Sequence, residues 1–253
     1  MISLEIDPRA IARLTIDNQR KLNVLDRAHL RDFAHVVEEI AQDETLRAVI
    51  LSGAGGDAFS GGADIAEMSR LDQAGARESI TLLHRCCEGL RKLPFPSIAA
   101  ICGYALGAGL EIAASCDLRI ALETARFGMP EVRVGIPSVI EAALLPRLIG
   151  WGRARRLLLL GEIHDAREAE SWGLVDQVVA PQNLGKAIDK IVDSILNTGP
   201  NAIRLQKKLM RSWEELPLSA AIEAGIDSFA EAFETDEPRL MMDAFLNRRK
   251  KYD

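Results

Sequence analysis

Two glycine-rich stretches, Ala58-Phe-Ser-Gly-Gly-Ala-Asp64 and Gly103-Tyr-Ala-Leu-Gly-Ala-Gly-Leu-Glu111, each follow an apolar strand-like run and precede a helix-like one. Backbone N–H groups at a helix start have no internal partner and lie at the positive end of its dipole, so two such starts can converge on one oxygen. The guest they favour is a carbonyl turning into an oxyanion. Ala63 and Ala108 each follow a glycine, and a methyl group is small enough to let a ligand approach the backbone N–H. Glu111 interrupts an apolar run three residues after Ala108, so on a helix the two share a face about one turn apart. Glu131, beside Pro130, is a second unexpected carboxylate. One carboxylate can hold a proton while another activates water, so the set points to acid–base chemistry beside a polarised carbonyl.

Each feature alone also has a purely structural reading. Glycines permit tight turns without any ligand. Glu111 can pair with Arg119 or another buried arginine, and Glu131 is flanked by Arg126 and Arg133. Glu141, in Ser138-Val-Ile-Glu-Ala142, reads as a first-turn acid after Pro137 and takes no catalytic role. No Lys-Ser or Lys-Thr follows the glycines, and Gly107-Ala-Gly109 lacks the third glycine of a dinucleotide motif. His29, His35, His84 and His164 form no His-Glu-x-x-His pattern and read as surface or packing residues, so no metal is expected. Ser60 and Ser97 lack the context of a nucleophile elbow.

The elements that must position these groups read as an α/β pattern. Ile2 to Ile6 and Ile11 to Ile16 alternate as paired strands, and Asp26 caps a helix running to about Ala41. Residues 46–52 form a buried strand entering Gly53-Ala-Gly-Gly56, and a helical stretch over 74–92 stops at Pro94. Residues 97–102 and 117–122 are further buried strands. Alternating strands and helices predict largely parallel pairing, with functional loops at the strand ends. After Pro146 the pattern turns helical over 152–160 and 166–172, followed by an apolar segment at 174–179. From about Leu184 it is helical to the end, broken at Gly199-Pro200, Pro217 and Pro238. Such an arm has little core of its own and must pack on the body and on another subunit.

At 253 residues the chain is long enough for a sizeable core, with roughly 70–75% of its unfolded surface buried. The 31 Lys and Arg against 37 Asp and Glu give a net charge of -6, with both signs interspersed, which argues against nucleic acid as a partner. Cys86, Cys87, Cys102 and Cys116 show no metal spacing and no favourable disulfide spacing, which fits a reducing cytoplasm. Met1-Ile-Ser-Leu-Glu-Ile-Asp7 lacks the features of a signal peptide. The longest uncharged run, residues 94–110, is broken by proline and glycine and is shorter than the roughly 20 apolar residues that span a membrane. A cytoplasmic protein without a membrane partner is expected.

With these residues in place, the chain resembles the crotonase superfamily, the enoyl-CoA hydratase/isomerase family. The likeness is carried by Lys21-Leu-Asn-Val-Leu25, Phe59-Ser-Gly-Gly-Ala-Asp64, the stretch ending at Glu111, and Phe127-Gly-Met-Pro-Glu131. It continues through Leu145-Pro-Arg-Leu-Ile-Gly150, Gly173-Leu-Val175, Phe233-Glu-Thr-Asp236 and Ala244-Phe-Leu246. The resemblance implies a repeated ββα core, residues 1–196, with the acyl-CoA site, and a C-terminal helical trimerisation region, residues 197–253. The assembly it implies is a homotrimer, or a hexamer made of two trimers.

The same resemblance implies that the N–H groups of Ala63 and Ala108 hold the thioester oxygen of an acyl-CoA. Glu111 and Glu131 match the two glutamates of hydratases, one activating water for addition at C3 and the other delivering a proton at C2. Isomerases usually manage with one, so the pair favours reversible hydration of a trans-2-enoyl-CoA. Lys21 and Leu22 are expected near the nucleotide end of CoA, and Ala63, Asp64 and Ile65 along the adenine and pantetheine path. Phe245 and Arg248 are expected to reach a neighbouring subunit's CoA. Because CoA arrives with the substrate, no separate cofactor is implied.

One departure bears on the reaction. Hydratases typically carry a glycine-rich Pro-Gly-Ala-Gly-Gly-Thr loop where this chain has Pro137-Ser-Val-Ile-Glu-Ala142, which adds bulk and a carboxylate. Enoyl-CoA isomerisation or acyl-CoA thioester hydrolysis on the same oxyanion hole is the alternative this motivates. A non-catalytic acyl-CoA-binding or RNA-interacting protein is the alternative of another class. The intact glutamate pair and the negative charge favour the enzyme.

Overall fold

The computed structural model describes residues 1–249, with side chains through Asn247. Strands β1 (Ile2–Ile6) and β2 (Ile11–Ile16) form an antiparallel pair with Leu4 opposite Leu14. Asp26 then caps helix α1 (Arg27–Ala41), its carboxylate accepting from the His29 N–H at 2.9 Å. Next come β3 (Ala48–Gly53), the short β4 (Ala58–Ser60), one-turn α2 (Ile65–Met68) and long α3 (Gln73–Lys92). The unit recurs as β5 (Ser97–Ile101), β6 (Tyr104–Leu106) and α4 (Ala108–Ser115). Strands β7 (Leu118–Leu122) and β8 (Arg126–Gly128) precede α5 (Leu145–Leu160), β9 (Ile163–Asp165), α6 (Ala166–Trp172) and β10 (Gln177–Val179). The chain finishes as α7 (Leu184–Leu196), α8 (Pro200–Glu215), α9 (Leu218–Ala232) and α10 (Glu237–Arg249).

Two sheets result. One has the order β1-β2-β3-β5-β7-β10 and is parallel from β2 onward; the other, β4-β6-β8-β9, is parallel except for its last pair. The large sheet is covered on both faces, which is why its strands read as continuous apolar runs. Ile50, Ile98 and Ile120 face Ile188, Val192 and Ile195 of α7. The alternate residues Leu51 and Ile101 join Phe33 and Val37 of α1 and Leu83 and Leu90 of α3 in the main core. This architecture is the α/β fold expected from the alternation of elements.

Some local expectations need correction. Helix α5 starts at Leu145 rather than near 152, because Pro146 occupies the first turn, where its missing N–H leaves no bond broken. A non-helical Gly150 kinks the helix near the expected start. The helical run does break just before Pro238, which sits in the first turn of α10. Residues 104–106, read as part of a glycine turn, form β6, and Ala63 lies before the cap Asp64 of α2 rather than at a helix start.

The arm is tied to the body by a buried cation. Lys207 of α8 donates to the Phe95 carbonyl at 3.0 Å and to Asp117 at 2.6 Å, and Asp117 also accepts from the Ser97 N–H. Beyond it, α9 and α10 leave Ile222, Ile226, Phe229, Leu240 and Phe245 exposed.

Candidate active site

The first glycine loop is held by the segment before α1. Buried Asn23 donates its side-chain amide to the Ala58 carbonyl at 2.7 Å and to the Ala54 carbonyl at 2.9 Å. Leu25 N–H donates to Gly62 O, and Asp64 N–H donates to Leu25 O, at 2.8 and 2.9 Å. These bonds bracket Ala63, whose own N–H donates to no acceptor among the described residues. The second loop turns at Gly107, with φ +50°, and opens α4 at Ala108, whose N–H is likewise unspent among the described residues.

The two loops meet. A Cβ on Gly62, itself at φ +97°, would lie 2.8 Å from the Leu106 carbonyl and 3.7 Å from the Ala108 nitrogen. Any side chain there would fill the space between the two unspent N–H groups. The two donors expected for an oxyanion therefore come together, although only Ala108 owes its open N–H to a helix start.

Glu111 is buried in α4 at 4% exposure and accepts from the Ala142 N–H at 3.1 Å. Burial pushes its pKa up to about 8; the bond from Ala142 opposes that, and the charges of Glu131 and Glu141 add to it. Arg119 does not pair with Glu111: its guanidinium donates to the carbonyls of Leu174 and Cys116 and faces Asp176.

Glu131 lies on the 3-10 turn Pro130–Val134, just after β8. Its Oε2 accepts from the Ser138 hydroxyl at 2.8 Å, and its Oε1 lies so close to Gly107 that a Cβ there would overlap it. Arg126 and Arg133 donate to main-chain carbonyls instead of forming the alternative surface pair. The carboxylate is thus brought against the start of the helix that carries Glu111.

Residues 138–142 supply the bonds that hold both glutamates, and sequence reasoning gave Ser138 no role. A lone serine in a loop carries no signal of its partner. Ile140 sits in the left-handed region at φ +41°, a conformation costing on the order of 1–3 kcal/mol for such a residue. The backbone there turns Glu141 inward, to 4% exposure, where it meets His84 Nδ1 at 2.9 Å. Glu141 does occupy the first turn of a 3-10 helix, Ile140–Leu144, but it is a buried, hydrogen-bonded acid.

Toward the surface, Lys21 pairs with Asp64 at 3.1 Å beside a cavity of about 680 Å³ that Arg27, Arg31, Glu67 and Arg70 also line. Asp64 is held below the usual carboxylate range by the Glu67 N–H and by Lys21. Leu22 and Ile65 are exposed nearby in sequence, at 43% and 61%. Arg27 and Arg31 were missed, although their spacing of four on α1 places them on one helix face. Phe245 is exposed on α10 and does not line this cavity, and the side chain of Arg248 lies outside the described residues. A separate cavity of about 560 Å³ lies against α8, lined by Lys92 and Arg204 among others, and shares no residue with either glutamate. Among the described residues no group of three or more His, Cys, Asp or Glu is placed to hold a metal ion, and all four cysteines are unpaired.

A sequence model of the family described as Enoyl-CoA hydratase/isomerase matches residues 7–253. The chain belongs to the enoyl-CoA hydratase/isomerase family. It is 37% identical to a short-chain-enoyl-CoA hydratase of Clostridium acetobutylicum over 95% of this chain and 92% of that one. It is 36% identical to a crotonyl-CoA hydratase of Syntrophomonas wolfei over 95% and 93% of the two chains. Among solved structures, an enoyl-CoA hydratase from Bacillus anthracis superimposes with a TM-score of 0.93 at 31% identity, covering 98% of this chain and 96% of its own. Pseudomonas aeruginosa DspI gives 0.92 at 33% identity, covering 98% and 94%. The fold is the crotonase fold.

Proposed function

We propose that the protein is an enoyl-CoA hydratase, adding water reversibly across the C2–C3 double bond of a trans-2-enoyl-CoA. One observation carries this reading. The segment 138–142 holds both glutamates at once, Glu131 through Ser138 and Glu111 through Ala142, with Glu131 set against the start of α4. A pair of carboxylates held together in this way suits a reaction that gives one proton and takes another.

In this reading the N–H groups of Ala63 and Ala108 donate to the thioester oxygen and draw electron density away from C3. Each such donor is worth about 3–4 kcal/mol in comparable oxyanion holes. The water oxygen bonds to C3 while one carboxylate takes its proton, and the other, in its acid form, delivers a proton to C2. Glu111, pushed up to about 8 by burial, holds a proton through neutral pH. The negative charge gathering on the thioester oxygen is what the two N–H groups stabilise. No further cofactor enters the scheme, since CoA comes with the substrate.

The cavity beside Lys21 and Asp64 suits the phosphate-bearing end of CoA, since Lys21, Arg27, Arg31 and Arg70 line it. Leu22 and Ile65 offer apolar surface to the adenine and pantetheine. Residues 1–196 form the catalytic core, and residues 197–253 the oligomerisation region. The apolar side chains exposed on α9 and α10 support burial against other copies in a trimer or a dimer of trimers, where Phe245 and Arg248 would meet a neighbour's CoA. Four unpaired thiols fit a cytoplasmic setting.

Mass-resolved turnover of short 2-enoyl-CoA and 3-enoyl-CoA thioesters, with Glu131→Gln as control, tests the reading. The expected result with crotonyl-CoA is a gain of one water that the variant abolishes. Isomer or free CoA without hydrate would make the protein an isomerase or a thioesterase. Tight CoA binding without turnover would make it a binding protein.

A further inference from the structure

The hydratase scheme uses buried Glu111 and partly buried Glu131 and leaves another buried carboxylate idle. Glu141 is as deeply buried as Glu111, each at 4% exposure, and precedes the residue whose N–H binds Glu111. One of its oxygens meets His84 Nδ1 at 2.9 Å, and the other finds no hydrogen-bond partner among the described residues. The backbone reaches this arrangement through the strained Ile140, between half-exposed Val139 and buried Glu141. Strain of this kind persists where the surrounding structure demands it. His84 itself is 47% exposed on α3, so the pair runs from solvent to the interior behind Glu111.

We propose that Glu141 and His84 are positioning residues for Glu111: His84 keeps a negative charge on Glu141, and that charge favours the acid form of Glu111. The inference rests on the hydratase reading for its purpose, but the coupling itself does not depend on turnover. The groups facing Glu111 are Glu131 on its 3-10 turn, Glu141, and the Cys87 thiol of α3. Those facing Glu141 are His84, Glu88, Arg91 and Cys87 of α3, and Glu111 of α4. Burial pushes Glu141 up, and His84 opposes that through its charge and its hydrogen bond. Losing His84 therefore shifts Glu141 toward its neutral form, and losing either member weakens the repulsion that Glu111 feels.

The test is a pH titration of the full chain with carbon-13-labelled glutamate, the Glu111 resonance being identified by its loss in Glu111→Gln. Wild type, the isosteric Glu141→Gln, His84→Ala and the double variant are compared, alongside pH profiles of kcat on crotonyl-CoA. The expected result is a Glu111 midpoint lowered by roughly one pH unit in each single variant, a tenfold change in its acid-to-base ratio at fixed pH. The double variant should move no further than the singles, because both act through one charge. Midpoints that stay put while kcat falls equally at every pH would reduce the pair to a structural role and overturn the proposal. If wild type hydrates no enoyl-CoA, the hydratase reading falls alone, and the midpoints still decide the coupling.

Discussion

Around Glu111 the charges are buried and short of partners, whereas around Lys21 and Asp64 they are paired and open to solvent. Glu111 and Glu141 keep 4% of their surface, and burial pushes both upward. Asp64 is pulled the other way by the Glu67 N–H and by Lys21, which is itself 64% exposed. A proton-transfer group needs a pKa near the working pH, and desolvation supplies that. A binding rim needs charge that stays on and remains reachable, which solvent and ion pairs supply. The same residue types thus serve two purposes according to the water around them.

If that contrast is right, disturbing the buried side should strike kcat and disturbing the open side should strike KM. Glu111→Gln and Glu131→Gln carry the largest expected effect, each lowering kcat roughly 10²–10⁴-fold with KM changed little, measured by steady-state crotonyl-CoA hydration. Ala108→Pro deletes one N–H at the first residue of α4, a helix position that tolerates proline. It should lower kcat about 10²–10³-fold while a thermal melt stays close to wild type. Ser138→Ala removes one hydrogen bond to a carboxylate, and a fall in kcat of roughly tenfold or somewhat more is expected from the same assay. Arg70→Ala, on the open side, should raise KM only about 3–10-fold with kcat unchanged, and the difference should shrink in added salt.

The smallest effect sharpens the comparison through stability. Glu111 is protonated in the folded protein up to about pH 8 but ionises near its ordinary value of 4.5 once unfolded. Between those values the folded state binds the extra proton, so this group's contribution to stability falls as pH rises. Glu111→Gln removes that dependence and should therefore stabilise the protein at pH 8 relative to pH 5, by about 1–3 kcal/mol. Denaturant melts of wild type and variant at both pH values check it. A gain that is the same at both would mean that Glu111 is not held in its acid form.

Much of this site can be read in the chain before any folding. Asp26 as a cap, the paired strands at the N-terminus, and the long helix before Pro94 are written in local periodicity and capping chemistry. The strands of the second sheet are only three residues long, too short for a period to show, so β4, β6, β8 and β9 escaped notice. The glutamates stood out because a carboxylate in an apolar run needs an explanation. Ser138 and His84 did not, since their partners lie 7 and 57 residues away along the chain.

What the sequence by itself determined is therefore local: which segments are strands and helices, where glycines open the backbone, and which carboxylates sit in apolar company. Hydrophobic period, capping and turn chemistry act over a few residues and need no knowledge of the rest. Whether Glu111 meets Arg119 or Ala142, whether Glu131 meets an arginine or Ser138, and whether Glu141 faces water or His84 were decided only by tertiary structure. A buried charge takes its partner and its pKa from whatever the fold brings within about 3 Å, and packing of distant elements sets that neighbourhood.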